Sequence, residues 1–242
     1  MEQRPVCLSV GGSDSCAGAG IQADLRVFEA LGVQGCSAIT ALTAQNPENI
    51  LHIQASSVLQ FEAELQAITS FYDVACIKTG MLYNQAHIEA LIPFIRNIPL
   101  IVDPVLMSSS GKLLFDDNTA NKSYQELLQH ATLWTPNLQE AAYFLESNID
   151  DPIEITSALI LKYQTPVLLK GGHGKGNVLR DIFCDTQGNI EIFEHPKQPI
   201  SPSQSHGTGC RLASAIAAYF ATGNDLISAI HHAHIWLQSD LQ

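Results

Sequence analysis

Short apolar runs alternate along the chain with longer segments in which apolar residues recur every three or four positions. The short runs are typical of buried strands, and the longer period is typical of helices that pack one face against a core. Val58, Phe61 and Leu65 show the helical period clearly, after serines that can cap the helix. The pattern predicts strands at 6–10, 36–42, 74–78, 100–102, 131–134, 167–169, 177–184 and 190–194. It predicts helices at 19–31, 56–71, 84–95, 118–130, 138–147, 152–164 and 209–241, the last broken at 223–224.

Strands that alternate with helices indicate βαβ units, so we expect an α/β fold in which helices cover both faces of a parallel sheet. The last two predicted strands have hairpin character, with Gly188-Asn189 as their turn. A chain of 242 residues suits one such domain. We therefore predict a single domain over residues 1–242.

In sheets of this kind, ligands bind beyond the carboxyl ends of the parallel strands. Residues suited to catalysis or binding follow the predicted strands at Asp14, Gln45, Lys78, Met81, Asp103, Asn137 and Lys170. Because parallel strands end at the same edge of a sheet, the sequence predicts an active site at that edge.

The composition narrows the class of ligand. The chain is 46% hydrophobic and 15% charged, and its 12 Lys and Arg against 24 Asp and Glu give a net charge of −12. An acidic chain is a poor partner for nucleic acid or for an anionic membrane, whose phosphates require a basic surface. We expect any bound phosphate to be held locally, by backbone amides and a few well-placed cations.

The six cysteines are scattered and form no Cys-x-x-Cys pair, which is typical of reduced thiols in a cytosol. The N-terminal residues show no secretory signal pattern. No apolar run approaches the ~20 residues of a membrane span. The sequence therefore predicts a cytoplasmic protein.

The turn Gly207-Thr208-Gly209-Cys210 precedes an alanine-rich helix. Glycines let a backbone turn tightly and approach a ligand, and the first amides of a helix favour an anion such as a phosphate. Cys210 lies at the helix start, where the pKa of a thiol is usually below its ordinary ~8.5. The alternative is a plain glycine-rich helix entry with a buried cysteine.

The glycine-rich segment 11–24 superficially fits a dinucleotide fingerprint at Gly18-Ala19-Gly20. That fingerprint requires an acidic residue at the end of the second strand, where this chain has Thr43-Ala44-Gln45. We therefore favour a flexible loop that closes a small-ligand pocket, with Asp14 available to fix a polar group.

Other polar residues have both a structural and a functional interpretation. Asn137 and Glu140 have the spacing of a capping box, and they could also organise Mg²⁺ and its waters. Lys170, before two glycines, could lie beside a phosphate, and Asp103 leaves an acid at a strand end; either could instead be solvated. The histidines of the C-terminal helix, His231, His232 and His234, are predicted to lie on its surface.

No Walker A sequence is present, yet the motifs together resemble the ribokinase-like superfamily. Within it, the chain is most similar to the hydroxymethylpyrimidine/phosphomethylpyrimidine kinases of thiamine biosynthesis. The resemblance runs over nearly the whole chain and is carried, in order, by Gly12-Ser13-Asp14 with residues 17–24, Thr40–Asn46, Ile77–Leu82, Val102–Val105, Thr135–Ala141, Lys170–His173 and His206–Cys210.

The resemblance implies a three-layer α/β/α fold around a mostly parallel sheet, and a homodimer. It implies ATP-dependent phosphorylation of 4-amino-5-hydroxymethyl-2-methylpyrimidine and its monophosphate, with Mg²⁺. Cys210 would be the general base, where most of the superfamily has Asp. The implied anion hole and phosphate contacts come from Gly207, Thr208, Gly209, Lys170 and Asn137. Asp103 and Glu140 would hold the metal, Gln45 would bond the aminopyrimidine, and the pocket would be lined by Gly12, Asp14, Ala19, Thr43 and Met81.

The chain departs from the family pattern in two places. Ser15-Cys16-Ala17 is an atypical version of the glycine-rich loop, and Arg211 stands where a small hydroxyl residue is usual. Two other functions stay open. A pyridoxal kinase of the same superfamily shares the Gly-Thr-Gly-Cys turn, and a non-catalytic pyrimidine-binding protein would bind ligand without transfer.

Overall fold

The computed structural model describes residues 4–107, 113–116, 119–147, 149–171, 178–196 and 206–241. The predicted motif residues Gly172 and His173 and the first residue of the strand predicted from 177 lie outside this range.

The described residues form nine strands and eight α-helices. The strands are β1 (Val6–Asp14), β2 (Gln34–Gln45), β3 (Ile50–Ala55), β4 (Val74–Thr79), β5 (Leu100–Val102), β6 (Leu133–Trp134), β7 (Val167–Leu169), β8 (Val178–Cys184) and β9 (Ile190–Pro196). The helices are α1 (Gly20–Ala30), α2 (Val58–Thr69), α3 (Gln85–Leu91), α4 (Ala120–Leu128), α5 (Leu138–Leu145), α6 (Pro152–Tyr163), α7 (Thr208–Ala221) and α8 (Leu226–Asp240), with a 3-10 turn at Ile92–Phe94.

All nine strands join one sheet in the order β3-β2-β1-β4-β5-β6-β7-β8-β9. Six neighbouring strands, β2, β1, β4, β5, β6 and β7, are parallel. The edge strands β3, β8 and β9 pair antiparallel. The predicted α/β fold with a mostly parallel sheet is therefore confirmed, as is the hairpin of the last two strands.

The sequence pattern missed β3 and ended β2 too early. β3 is an edge strand whose residues, including Leu51 and His52, are exposed or only half-buried, so it carries no buried apolar run. β2 extends to Gln45 because its last five residues pair with β3. Thr43 and Gln45, which were expected to follow the strand, therefore lie within it.

Two hydrophobic clusters lie on opposite faces of the sheet. One packs β1 residues such as Leu8 and Val10 against Phe61 of α2 and Phe144 of α5. The other packs the opposite face, including Cys7, against α1, α7 and α8. The alternation of Cys7 and Leu8 between the clusters follows from the two-residue period of a strand. Helices thus cover both faces, giving three layers.

Helix α7 lies close against the sheet because its inner face is built from small residues. Ala213, Ala215, Ala217 and Ala218 are fully buried, and the helix contacts α1, β1, β4 and β5. Its first residues therefore stand at the carboxyl ends of these strands. Among the described residues, no helix has the length and apolar character needed to cross a membrane.

Candidate active site

A cavity of about 920 Å³ opens at the carboxyl ends of the parallel strands. Every residue that the sequence analysis assigned to the site lines it: Gly12, Asp14, Ala19, Thr43, Gln45, Met81, Asp103, Asn137, Glu140, Lys170, Gly207, Thr208, Gly209 and Cys210. The structure therefore brings together residues that are separated by almost the whole chain. The roles assigned to them remain predictions.

The turn before α7 is shaped by its glycines. Gly207 has a φ of 80°, and a Cβ on it would lie 2.2 Å from the carbonyl oxygen of Gly18. Gly207 offers no side-chain cap to the helix, so the helix start is left open to a ligand. A Cβ on Gly209 would lie 3.1 Å from Nζ of Lys170. Glycine at these positions keeps the turn against both the glycine-rich loop and a cation.

Cys210 is a buried thiol rather than the low-pKa thiol that its helix-start position suggested. Burial, together with the Asp103 and Asp24 carboxylates, raises its pKa to about 12. Lys78 and Lys170 act in the opposite direction. The expectation of a lowered pKa is therefore wrong for this state of the protein, because desolvation and two carboxylates outweigh the two lysines.

Lys170 and Asp103 form an ion pair on the cavity wall, with Nζ 2.7 Å from Oδ1. Burial alone would lower the pKa of Lys170, but Asp103 and Glu140 raise it, so the amine stays charged. The second carboxylate oxygen of Asp103, Oδ2, is buried and has no hydrogen-bond partner among the described residues. Such an oxygen is suited to a cation or a water from the cavity.

Glu140 and Asn137 form the capping box at the start of α5. The amide of Glu140 donates to Oδ1 of Asn137 and the amide of Asn137 donates to Oε2 of Glu140, both at 2.9 Å. Oε1 of Glu140 accepts the amide of Leu106 at 3.1 Å. Burial, with the charge of Asp103, raises the pKa of Glu140 to about 7 although Lys170 opposes the shift. Both carboxylate oxygens are thus already engaged by the backbone.

A second buried ion pair, Lys78 with Asp24, lies beneath the turn. The sequence placed Lys78 at the end of a strand but gave no role to Asp24. Nζ of Lys78 is 2.9 and 3.0 Å from the two oxygens of Asp24, and the side chains are only 1% and 2% exposed. Ser9 of β1 and Ser214 of α7 also donate to this carboxylate, at 2.6 and 2.7 Å. Charged residues inside segments predicted to be buried were the signal that could have revealed the pair.

Asp14 organises the glycine-rich loop through its carboxylate. Its carboxylate accepts the amides of Cys16 and Ala19, at 2.9 and 2.8 Å. Burial raises the pKa of Asp14, but these amides and the side chain of Gln45 outweigh it, and the pKa is lowered. The hydroxyl of Thr43 likewise donates to the carbonyl of Ser13 at 2.9 Å. Asp14 therefore shapes the loop, and its expected contact with a polar group of a ligand stays a prediction.

The prediction for the C-terminal histidines was correct for two of the three. His231 and His232 are exposed, whereas His234 is buried. Its ring stacks on Phe193, and its Nε2 lies 2.9 Å from Asp181 of β8. His234 follows buried Ile230 by four residues, which places both on the helix face that packs on the β8–β9 hairpin.

Arg211, which departs from the family pattern, donates to Asp240 of α8 at 2.7 Å.

The ends of the parallel strands meet the start of α7, with a lysine and a carboxylate opposite, and this arrangement suits a small-molecule kinase. The chain shares its ribokinase-like fold with solved kinases of this type. The phosphomethylpyrimidine kinase from Clostridium difficile 630 superposes with a TM-score of 0.84 at 28% identity, covering 99% of this chain and 100% of that one. A pyridoxal kinase from Staphylococcus aureus, in complex with AMP-PCP and pyridoxal, gives a TM-score of 0.86 at 28% identity, covering 98% of this chain and 87% of that one.

The sequence comparisons narrow the class further. The family model described as phosphomethylpyrimidine kinase matches residues 14–242, and the chain belongs to this family. A hydroxymethylpyrimidine/phosphomethylpyrimidine kinase of Rhizobium meliloti (strain 1021) is 38% identical over 240 residues, which cover 97% of this chain and 89% of the relative. One from Haemophilus influenzae is 34% identical over 93% of this chain and 87% of the relative. The expected ATP-dependent kinase with a ribokinase-like fold is confirmed.

We expect Lys78→Met to lower the free energy of unfolding by about 3–5 kcal/mol, because it leaves the Asp24 carboxylate buried without its cation. The double variant Lys78→Met/Asp24→Asn should recover part of that loss, since no buried charge is then left unpaired. Urea unfolding of the three proteins measures both effects.

The exposed pair Arg180–Glu194 provides the matched control, because breaking a solvated ion pair costs little. Arg180→Met should therefore change stability far less than Lys78→Met. Equal losses in the two single variants, or a double variant less stable than Lys78→Met, would show that the buried pair does not stabilise the fold in this way.

Proposed function

We propose that this chain uses ATP to phosphorylate 4-amino-5-hydroxymethyl-2-methylpyrimidine and then its monophosphate, giving the pyrimidine diphosphate for thiamine biosynthesis. The observation that carries the proposal is the position of Cys210. It stands at the open start of α7, in the same cavity as the Lys170–Asp103 pair and the Gln45 end of β2. Relatives matched over nearly the full chain bear the name of this activity.

The glycine-rich loop and the ends of β1 and β2 would hold the pyrimidine. A Cβ on Gly12 would lie 3.1 Å from Sδ of Met81. Because glycine has no Cβ, a flat ring in the cavity could contact the thioether of Met81. Gln45 lines the same region, and its amide can both donate to and accept from an aminopyrimidine. Ala19 and Thr43 complete this wall, while Asp14 keeps the loop in place.

The opposite half of the cavity would hold the ATP phosphates. Lys170 supplies a permanent charge, and Asn137 with the amides of Gly207, Thr208 and Gly209 would supply hydrogen-bond donors. These groups neutralise and orient the phosphates, which is most of what phosphoryl transfer requires. An acidic chain can in this way bind a polyanion without a basic surface.

Asp103 fits the Mg²⁺ that such a reaction uses, because its buried Oδ2 has no partner among the described residues and carboxylate oxygens are preferred by this ion. Glu140 would act on it through water or through charge alone, since both its oxygens accept backbone amides. When bound, the ion would offset phosphate charge.

Cys210 would take the proton of the substrate hydroxyl as that oxygen bonds to the γ-phosphorus and the bond from phosphorus to the ADP oxygen breaks. To accept this proton, Cys210 must first be a thiolate. Lys78 and Lys170 favour this form, while Asp103 and Asp24 oppose it. A cation held by Asp103 would offset one of the two opposing charges, so the loaded site would lower the thiol pKa.

We further infer a single kinase domain over residues 1–242, a homodimer and a cytoplasmic location. The six free cysteines support a reducing compartment, and the resemblance to the family supports the dimer. The second candidate function is pyridoxal kinase, which is favoured by the similarity to pyridoxal kinase structures.

An ADP-release assay with hydroxymethylpyrimidine, its monophosphate and pyridoxal tests the choice of substrate. We expect kcat/KM for both pyrimidines to exceed that for pyridoxal by at least about tenfold, because the Gln45 amide loses its partner on the pyridoxal ring. A preference for pyridoxal would establish the second candidate. Pyrimidine binding without ADP release would instead indicate a non-catalytic binding protein.

Cys210→Ala should lower kcat by about 10²–10⁴-fold, the usual contribution of a general base, while ATP binding measured by calorimetry is retained. In the native protein a raised thiol pKa means that the thiolate fraction, and therefore kcat, should rise with pH through the neutral and alkaline range.

Cys210→Asp is the matched variant, because a carboxyl group has an ordinary pKa of about 3.9 and is ionised well below neutrality unless burial raises it strongly. Its kcat should become independent of pH at a lower pH than that of the native protein. Near-native turnover in Cys210→Ala, or identical pH profiles for the native protein and Cys210→Asp, would contradict the assignment of Cys210 as the base.

A further inference from the structure

Three side chains with metal-binding atoms meet where the glycine-rich loop touches the turn before α7. They are Asp14 at the end of β1, Cys16 in the loop, and His206 directly before Gly207. One ligand atom from each lies within 4.8 Å of the others. Cys16 is exposed and does not line the cavity, and no step of the proposed reaction uses it.

We propose that Asp14, Cys16 and His206 form a binding site for Zn²⁺, separate from the Mg²⁺ that accompanies ATP. Thiolate, imidazole and carboxylate are the ligands of protein zinc sites, and three protein ligands with one position left to water is a common arrangement. Mg²⁺ prefers oxygen ligands alone, so the thiol distinguishes the two ions.

Two of the three distances between the ligand atoms already suit a tetrahedral ion. Zn–ligand bonds of roughly 2.0–2.3 Å place two ligands of a tetrahedron roughly 3.3–3.7 Å apart. In this structure Sγ of Cys16 is 3.5 Å from Oδ2 of Asp14, and Nε2 of His206 is 3.2 Å from the same oxygen. Small shifts of side chains would therefore admit the ion without rearrangement of the backbone.

The charges also balance. On binding, the thiol of Cys16 would release its proton to solvent, and the ring of His206 would carry its single proton on Nδ1. One thiolate and one carboxylate then neutralise the two charges of the ion. Nδ1 of His206 is buried with no hydrogen-bond partner among the described residues, so no described hydrogen bond fixes the ring in another orientation.

Neighbouring groups hold two of the three ligands, Asp14 and His206, in place. Amides of Cys16 and Ala19 fix the carboxylate of Asp14, as the groups around a metal site usually do for its ligands. The ring of His206 packs directly on Gly18, where a Cβ would lie 2.4 Å from its Cδ2. Exposure of Cys16 gives the ion a path from solvent and leaves room for a water ligand.

A consequence for activity follows, and it rests on the proposed function. The site joins the loop at 14–19 to the turn at 206–210, which are two walls of the same cavity. An ion that links them would restrict the entry of substrate, so Zn²⁺ should inhibit the kinase. Because Cys16 belongs to the atypical part of the loop, this inhibition would depend on a residue that departs from the family pattern.

Co²⁺ titration of the full chain in the absence of nucleotide tests the site directly, since ATP would itself bind the metal. Thiolate ligation gives Co²⁺ an intense charge-transfer absorption in the near ultraviolet. We expect this band in the native protein and its loss when Zn²⁺ is added in competition. Cys16→Ser should abolish the band and weaken Zn²⁺ binding by about 100-fold or more. Removal of a group that only supports a metal ligand already costs about 10–100-fold in affinity, and Cys16 would be a ligand itself.

Cys36→Ser is the matched control, because Cys36 is a half-buried thiol of β2 outside the cluster and its variant should keep the band. His206→Asn provides a second ligand variant and should also weaken binding. The other cluster of possible ligands, Asp181 with His195 and His234, contains no thiol and cannot give the band.

A native protein without the band at saturating Co²⁺, or a band that persists in Cys16→Ser, would overturn the site. The inhibition is tested separately, with Zn²⁺ expected to slow ADP release by the native protein more than by Cys16→Ser. Equal inhibition of the two proteins would overturn the regulatory consequence. If the chain releases no ADP at all, the proposed function fails, while the absorption measurement still decides the metal site.

Discussion

The buried negative charge of the Asp24 carboxylate requires hydrogen-bond donors and a cation around it. Because these come from both the sheet and helix α7, the carboxylate holds the two together. It accepts hydrogen bonds from Lys78 of β4, Ser9 of β1 and Ser214 of α7. Ser214 lies one helical turn after Cys210, so the same contact sets the position of the thiol. A buried carboxylate that lost any of these donors would destabilise the site as well as the core.

The lysines and carboxylates around the cavity form ion pairs, so the site can be buried without a large net charge. The same lysines could interact with the phosphates of ATP. Lys78 is paired with Asp24, and Lys170 is paired with Asp103, so neither lysine is left as an uncompensated buried charge. Cys210 lies between these pairs and remains a thiol because burial outweighs the lysines. The proposed base is thus a neutral thiol while the cavity holds no ligand.

The sequence predicted the central sheet and the residues that line the cavity at its edge, because buried parallel strands are continuous apolar runs and their ends carry the polar residues. It missed β3, whose exposed residues give no such run. It also misjudged His234 and the pKa of Cys210. Both depend on which distant elements pack against a residue, and a pattern along the chain does not contain that information. Asp24 and Lys78 were visible as residues, but only the fold shows that they form a pair.

The central claim is that phosphoryl transfer takes place at the start of α7, beside Cys210. A crystal structure of the chain with Mg²⁺, ADP and aluminium fluoride, which mimics the transferred phosphoryl group, tests this most directly. We expect the fluoride group within hydrogen-bond distance of the amides of Gly209 and Cys210 and beside Lys170. A fluoride group bound at the Asp181–His234 end of the cavity, with the turn before α7 unoccupied, would contradict it.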